Sequence, residues 1–191
     1  MTIRVSAREA LVIAVKELMS ERPINDISVK EIIHKAGVSM ATFYKYFTDK
    51  FDLVHKVFEQ EIVQPSWYDT TRGQYERHIE CLVYLQENRA FYLNAIKSLD
   101  FMELWQQSAF EASRKYLGPL LQKGQVAEDV STAFCHFTAN GLVGDTIAWL
   151  KDPCGRTPRQ VAEELCLFID FGLSGVIEHR QPLYTVRGSR P

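Results

Sequence analysis

Apolar residues recur every three or four positions along most of the chain, which is the spacing of amphipathic helices. The first apolar stripe consists of Leu11, Ala14, Val15, Leu18 and Met19. Ser6 followed by Glu9 forms a capping-box pattern in front of this stripe, and Pro23 comes after it. The pattern therefore predicts a first helix over Ser6–Ser20.

Three more segments with polar openings follow in close succession. The second predicted helix opens at Ser28, with a glutamate three positions on, and ends where Gly37 suits a left-handed backbone conformation. The third helix opens at Ser39, and the fourth opens at Thr48 or Asp49. Two short helices joined by a tight glycine-containing turn, behind a first amphipathic helix, are typical of a helix-turn-helix.

The rest of the chain keeps the helical spacing and shows no apolar–polar alternation bounded by turn residues, so no strand is predicted. The longer predicted helices cover Thr71–Asn88, Ala90–Ser98, Phe101–Lys123, Val126–Leu150 and Pro158–Arg180. A break or kink is expected at Gly118-Pro119, because proline removes a helix hydrogen bond.

The predicted fold class is therefore all-α, with a three-helix helix-turn-helix domain in residues 1–48. A connecting helix over residues 49–64 leads to a larger helical domain over residues 65–180. Residues 181–191 contain basic but no acidic side chains, and we expect them to form a flexible tail.

Composition narrows the class of protein. The chain has 191 residues, of which 46% are hydrophobic, enough for a sizeable core. No apolar run approaches the roughly 20 residues of a membrane span, and no secretory signal is visible at the N-terminus. We therefore expect a cytoplasmic protein without a membrane partner. No metal or cofactor is predicted, because no metal-like cluster is formed by Cys81, Cys135, Cys154 and Cys166.

The net charge of −2 does not by itself indicate a nucleic-acid-binding protein. The charge is uneven, however, because residues 28–50 carry four lysines and only two acidic side chains. A modest basic patch on an acidic body is compatible with DNA binding through few phosphate contacts.

The third predicted helix has a composition suited to a DNA groove. Its apolar side would pack on the first two helices, and its outer side would present Met40, Ala41, Thr42, Tyr44, Lys45 and Tyr46. Small residues such as Ser39 and Ala41 allow close approach to the bases. Thr42 can hydrogen-bond a base edge, and Met40 or Ala41 can touch a thymine methyl group.

The end of this helix suits phosphate groups on the groove walls. Tyr44 and Tyr46 carry hydroxyls on long stiff arms, and Lys45 can reach a phosphate or a guanine. Lys50 and Ser28 stand at helix N-termini, where backbone N–H groups favour an anion. Each residue alone is more often a half-buried aromatic or a solvated charge, and only their joint spacing favours the functional interpretation.

The segment "ISVKEIIHKAGVSMATFYKYFTDKFDLV", Ile27–Val54, resembles the DNA-binding segment of the TetR family of bacterial transcriptional regulators. The resemblance implies that Tyr44, Tyr46 and the helix-tip Lys50 contact phosphates. The family's variable, base-reading positions fall on Met40, Ala41, Thr42 and Lys45, and Met40 departs from the polar or basic residue often found there.

The larger half is similar to family members grouped with regulators of dihydroxyacetone kinase, through "ENRAFYLNAI" and the Gly141–Leu150 run. The resemblance implies a homodimer, a repressor in the commonest case, that binds a near-palindromic operator and is switched by an effector in the larger domain. Some of that group take a protein co-regulator, so either a small molecule or a protein remains possible as the effector.

Two helices of the larger half are apolar on two sides, so one side of each needs a second molecule to cover it. The predicted dimer interface consists of Val130, Gly141, Gly144, Ala148, Leu165, Phe168, Gly172 and Val176. The glycines would allow close approach of the two helices.

Aromatic residues crowd the middle of the chain and suggest an apolar effector pocket, although core packing is the commoner role of each. The predicted pocket residues are Tyr84, Tyr92, Phe101, Trp105, Phe134 and Phe137, with His136 and Asn140 as polar anchors. Each anchor is more often a satisfied core or interface hydrogen bond than a ligand contact.

An enzyme is not predicted, because the sequence shows no nucleophile with a base, no paired catalytic carboxylates and no phosphate-binding glycine loop. The alternative to an effector-switched regulator is a helical protein-interaction module or a co-activator-dependent regulator without a small-molecule ligand.

Overall fold

A computed structural model of the protein describes residues 5–64, 73–152 and 154–179. These ranges contain nine α-helices and no strand, and the all-α prediction is confirmed. The helices are α1 (Ala7–Met19), α2 (Val29–Ala36), α3 (Met40–Tyr46), α4 (Lys50–Phe58), α5 (Gln74–Glu87), α6 (Arg89–Ala95), α7 (Leu99–Lys123), α8 (Glu128–Lys151) and α9 (Pro158–Glu178). Within the described ranges, no helix combines the length and the apolar character that a membrane span requires.

The first four helices begin at polar side chains that accept hydrogen bonds from N–H groups of the first turn. Ser6 and Ser28 each form a complete capping box with the glutamate three residues on, as the sequence predicts. Ser39 caps α3, and Asp49 rather than Thr48 caps α4 by accepting from two backbone N–H groups. In each case the capping side chain determines the residue at which the helix begins.

Helix α1 is the centre of the first compact unit, since it packs against α2, α3, α4 and α6. Phe43 and Phe47 are buried on the inner side of α3, and Gly37 turns the chain between α2 and α3 with a φ of 66°. The left-handed conformation at this turn favours glycine over residues with a β-carbon. The turn and the two phenylalanines together determine which side of α3 faces outward.

The connecting helix differs from the prediction of one α-helix to Gln64. The α-helix ends at Phe58 and continues as a π-helical segment, Glu59–Val63, in which Ile62 is buried. The predicted helix start at Thr71, the helix end at Arg180 and the flexible tail over residues 181–191 lie outside the described residues.

The chain divides into two compact units, one reaching Leu104 and one starting at Trp105, rather than at residues 64 and 65. The amide Nδ2 of Asn94 explains part of this difference, because it donates to the carbonyl oxygen of Met19 at 2.7 Å and attaches α6 to α1. The helical segment up to α6 is therefore packed with the helix-turn-helix.

The second unit has its own core between α7, α8 and α9. One cluster of buried residues there contains Leu117, Leu121, Val126, Cys135 and Ile169. Helix α7 runs through Pro119, where the sequence predicts a break or kink. Trp149 is buried and donates its indole N–H to the carbonyl oxygen of Arg156 at 3.0 Å, which holds the α8–α9 loop against α8.

Candidate nucleic-acid interface

Helix α3 presents the predicted groove-facing residues on its outer side. Ala41, Tyr44 and Lys45 are exposed, with Tyr44 at 56%, whereas Met40 and Tyr46 are half-buried. The Tyr44 ring meets the buried Phe43 ring edge-on, with 5.3 Å between the centroids. Because Phe43 anchors this ring, the Tyr44 hydroxyl is held on a stiff arm beyond the helix surface.

Polar groups at the start and end of α3 are arranged differently. Thr42 Oγ1 lies 2.9 Å from Ser39 Oγ, and Ser39 Oγ also accepts from the Thr42 N–H at 3.1 Å. Lys45 Nζ lies 5.6 Å from the centre of the Tyr46 ring and makes no ion pair with any described residue. The helix thus offers hydroxyls at its N-terminal end and an unpaired cation near its C-terminal end.

At the predicted anion site, Ser28 is bonded to one of the protein's own carboxylates. Glu31 accepts from the Ser28 N–H at 2.8 Å and from its hydroxyl at 2.7 Å, and it pairs with Arg22. The Ser28 backbone hydrogen bond, followed by the Arg22 hydrogen bond, lowers the pKa of Glu31 to about 2. Ser28 therefore caps α2 with its own N–H and hydroxyl bonded to Glu31, and a phosphate contact at this helix start stays a prediction.

Lys50 also has a role that differs from the prediction. Its Nζ donates to the carbonyl oxygens of Ile24 at 2.8 Å, Asn25 at 3.1 Å and Ile27 at 2.7 Å. An ammonium group has three donors, so these bonds use all of them. In this structure the Lys50 ammonium group ties the start of α4 to the segment before α2 and has no donor left for a phosphate, whereas the Lys50 backbone N–H is not part of these bonds.

Arg8 is a cation near α3 that sequence reasoning missed. Its guanidinium carbon lies 5.9 Å from the centre of the Phe47 ring, at the C-terminal end of α3. Lys56 approaches the same ring at 5.4 Å but pairs with Asp52, whereas Arg8 makes no ion pair within the described residues. Local sequence carries no signal of this proximity, because Arg8 and Phe47 meet only through the packing of α1 against α3.

The predicted pocket residues of the first unit serve its core. Tyr92 and Phe101 are buried, and Phe101 meets Phe58 edge-on at 5.2 Å between ring centroids. The Tyr84 hydroxyl accepts a hydrogen bond from Lys16 Nζ at 2.7 Å. Burial, followed by interaction with Glu61, raises the pKa of Tyr84, so its hydroxyl stays protonated.

The predicted pocket residues of the second unit are separated by the structure. Trp105 is buried, and Phe134 packs against Gly172 in the α8–α9 contact. The other three lie on the exposed side of α8: His136, Phe137 and Asn140. The His136 ring stacks on the Phe110 ring with 3.7 Å between the centroids, and the role of these three residues in an effector pocket stays a prediction.

An open groove of about 320 Å³ lies elsewhere in the second unit, between the end of α7 and the start of α8. It is lined by Arg114, Gly118, Pro119, Gln122, Val126, Glu128, Ser131, Thr132 and Cys135, and none of the predicted pocket residues borders it. Burial raises the pKa of the Cys135 thiol, which keeps it neutral.

The predicted dimer residues fall into two groups. Gly141, Gly144, Ala148 and Phe168 are exposed on α8 and α9. The remaining four are packed inside the second unit: Val130, Leu165, Gly172 and Val176. A β-carbon at Gly172 would lie 3.0 Å from the Phe134 ring of the same chain. The role of these four residues in a dimer stays a prediction. Sequence reasoning also missed Leu167 and Phe171, which are exposed.

Comparison with known families places these features in context. A family described as "Bacterial regulatory proteins, tetR family" matches residues 11–57, and one described as "Transcriptional regulator C-terminal region" matches residues 75–171. The chain belongs to the TetR family of transcriptional regulators. It is therefore a DNA-binding regulator and not an enzyme, as the sequence predicts.

Individual relatives of the family agree with this assignment. The HTH-type dhaKLM operon transcriptional activator DhaS of Lactococcus lactis subsp. lactis (strain IL1403) is 25% identical over 142 residues, covering 68% of this chain and 76% of that protein. The uncharacterized HTH-type transcriptional regulator YxbF of Bacillus subtilis (strain 168) is 22% identical over 167 residues, covering 80% of this chain and 42% of that protein.

Solved structures show the same fold. The structure of the dihydroxyacetone kinase operon activator DhaS aligns with a TM-score of 0.65 and 18% identity, covering 94% of this chain and 100% of that chain. Salmonella enterica GusR aligns with a TM-score of 0.59 and 16% identity, covering 90% of this chain and 95% of that chain.

Proposed function

We propose that the protein is a homodimer that binds a near-palindromic operator through α3 and changes its DNA affinity when an effector binds the second unit. The observation that carries the DNA-binding part is the outer side of α3. On this side, Tyr44 is exposed and its ring packs against the buried Phe43, and the neighbouring Lys45 has no ion pair among the described residues.

Contacts with DNA divide into two kinds in this proposal. Tyr44, Lys45 and Tyr46 bind phosphates on one groove wall, and Arg8 adds a fourth phosphate contact from α1. The base-facing residues are Ser39, Met40, Ala41 and Thr42, which are small or flexible enough for close approach. Two copies of this arrangement around a two-fold axis would prefer two symmetric half-sites.

Dimerisation is supported by an exposed apolar patch, defined here as Phe137, Leu167, Phe168 and Phe171. The three phenylalanines are 75%, 68% and 70% exposed, in that order. Large exposed apolar side chains of this kind are costly in water and mark interaction sites. The exposed Gly141, Gly144 and Ala148 on α8 let a second copy of the same helix approach closely, so the patch suits a two-fold interface.

The groove between α7 and α8 is the effector site that we propose. Arg114 makes no ion pair among the described residues, and Ser131 is a buried residue at the groove wall. A small polar molecule with an acidic group would match an unpaired guanidinium next to hydroxyl groups. Ser131→Trp, which fills the groove, should abolish any thermal shift found in a screen of small organic acids, and an unchanged shift would exclude this site.

Operator selection from random duplex DNA with the purified full-length protein tests the central proposal. We expect enrichment of a two-fold-symmetric sequence. Tyr44→Phe removes one phosphate hydrogen bond per subunit and should weaken binding about tenfold on all sequences. Tyr116→Phe, an exposed tyrosine in α7, is the matched control and should bind as the parent protein does.

Other results would exclude parts of the proposal. Full affinity of Tyr44→Phe would remove this residue from the interface. A folded dimer that enriches no sequence would favour the alternative of an interaction module or a co-activator-dependent regulator. Repression stays a prediction, because the L. lactis relative is named an activator. A reporter gene placed behind the enriched site should show whether the protein represses or activates transcription.

A further inference from the structure

A polar network of three residues joins three elements of the first unit. Lys16 on α1 places its Nζ 3.1 and 2.9 Å from the two carboxylate oxygens of Glu61, which lies in the π-helical segment after α4. The same Nζ donates to the hydroxyl of Tyr84 on α5 at 2.7 Å. One ammonium group therefore connects the helix-turn-helix, the connecting helix and the first helix beyond it.

The network is partly shielded from water. The side chains of Lys16 and Glu61 are 21% and 23% exposed. Lys16 Nζ also lies 5.1 Å from the centre of the Tyr84 ring and 5.9 Å from that of the Phe91 ring. Shielding strengthens a charge-assisted hydrogen bond and makes loss of one partner costly, because the other charge would be left without compensation.

The π-helical segment explains how the carboxylate reaches the lysine. A π turn holds one more residue than an α turn, so it rotates the positions that follow about the helix axis. In this turn Ile62 points into the core while the neighbouring Glu61 reaches Lys16 on α1. The irregular backbone is therefore associated with one specific polar contact between the connecting helix and α1–α3, which are called the reading helices below.

We propose that Lys16, Glu61 and Tyr84 are positioning residues that hold α1–α3 in one orientation on the connecting helix and so select the half-site spacing of the operator. This inference rests on the proposed homodimer. Helix α1 packs against both α2 and α3, so its angle to the connecting helix is also the angle of α3.

Apolar contacts between the same elements do not replace this role. Leu53, Val54, Val57, Phe58 and Ile62 are buried in the connecting helix. Apolar burial is non-directional and tolerates small rotations, whereas hydrogen bonds weaken steeply when their angles change. The network thus adds the angular restraint that the core alone does not supply.

The test compares binding of full-length dimers to duplexes that share the selected half-sites and differ by single base pairs in the spacer. The parent protein should prefer one spacer. Tyr84→Phe and Glu61→Gln should reduce discrimination between neighbouring spacers roughly threefold to tenfold, the range that loss of one or two hydrogen bonds supports. Binding to the best spacer should fall less, because α3 keeps its own contacts.

A matched control separates this role from general stability. Glu17→Gln breaks the exposed ion pair between Glu17 on α1 and Lys35 on α2, which is 2.8 Å long and lies within the reading helices. This variant should keep the parent's spacer preference. Unchanged preference in both Tyr84→Phe and Glu61→Gln would overturn the inference. A parent protein without any symmetric site would instead overturn the proposed function.

Discussion

The reading helices and the second unit are organised by different kinds of interaction. Each of the reading helices, like α4 after them, starts at a side-chain cap, and two of these caps are complete capping boxes. In the second unit α8 starts at Ala127 without a side-chain cap, and among the described helices of that unit α9 alone has a capping box, at Thr157. The second unit also exposes three phenylalanines, Phe137, Phe168 and Phe171, whereas Phe43 and Phe47 beside the reading helices' turn are buried.

This difference shows where each region gets its stability. Hydrogen bonds between residues three apart define the short reading helices, so neighbouring residues largely determine their ends. The long helices of the second unit depend on packing between distant segments and, in our proposal, on a second chain. Substitutions in the two regions should therefore differ in what they change.

The largest effect is expected from breaking the exposed apolar patch. Phe168→Glu would bury a carboxylate in the proposed dimer contact twice, once per subunit, and should cost at least about 2 kcal/mol of association free energy. Analytical ultracentrifugation should show a shift to monomer, together with loss of operator binding. Leu99→Glu is the control, because Leu99 is 81% exposed outside the patch. A dimer of unchanged affinity in Phe168→Glu would place the interface elsewhere.

A smaller effect is expected from the lysine that ties α4 to the segment before α2. Lys50→Met removes three hydrogen bonds to carbonyl oxygens and should lower the free energy of unfolding by about 2 kcal/mol. Urea denaturation measures this change. Lys45→Met should alter stability by less than about 0.5 kcal/mol but weaken DNA binding. If Lys50→Met instead weakened DNA binding at unchanged stability and Lys45→Met lowered stability, Lys50 would be the phosphate contact and Lys45 the structural residue.

The smallest effect concerns the capping box of α2 and depends on pH. The Ser28 hydrogen bond and Arg22 lower the pKa of Glu31 from 4.5 to about 2. A lowered carboxyl pKa stabilises the fold above the unfolded pKa, and this stability is lost as the pH falls through the folded pKa. Glu31→Gln should therefore flatten the decrease in stability between pH 4.5 and about 2, measured by urea denaturation.

The exposed Glu21 provides the control for this pH experiment. Glu21→Gln should leave the pH dependence as it is in the parent protein. An identical acid profile for Glu31→Gln and the parent would show that the capping box does not contribute to acid stability. Local hydrogen bonds would then contribute less to the stability of the reading helices than the structure indicates.

The sequence by itself determined the helical class, the starts of α1 to α4 and the outer residues of α3. These features depend on bonds between residues three or four apart and on apolar spacing, both of which can be read from neighbouring positions. The family resemblance of Ile27–Val54 is confirmed by the family match over residues 11–57. It could be recognised from sequence because the motif lies within one short segment.

Tertiary structure alone decided which polar groups are available and which apolar sides are covered. Lys50 reaches Ile24 across 26 positions, and Lys16 reaches Glu61 across 45, so no local pattern reveals either contact. The two apolar sides of α8 and α9 look alike in sequence, and only packing shows that Leu165 is buried while Phe168 is exposed. A side chain's partners are set by the distances between packed helices, and spacing along the chain does not specify those distances.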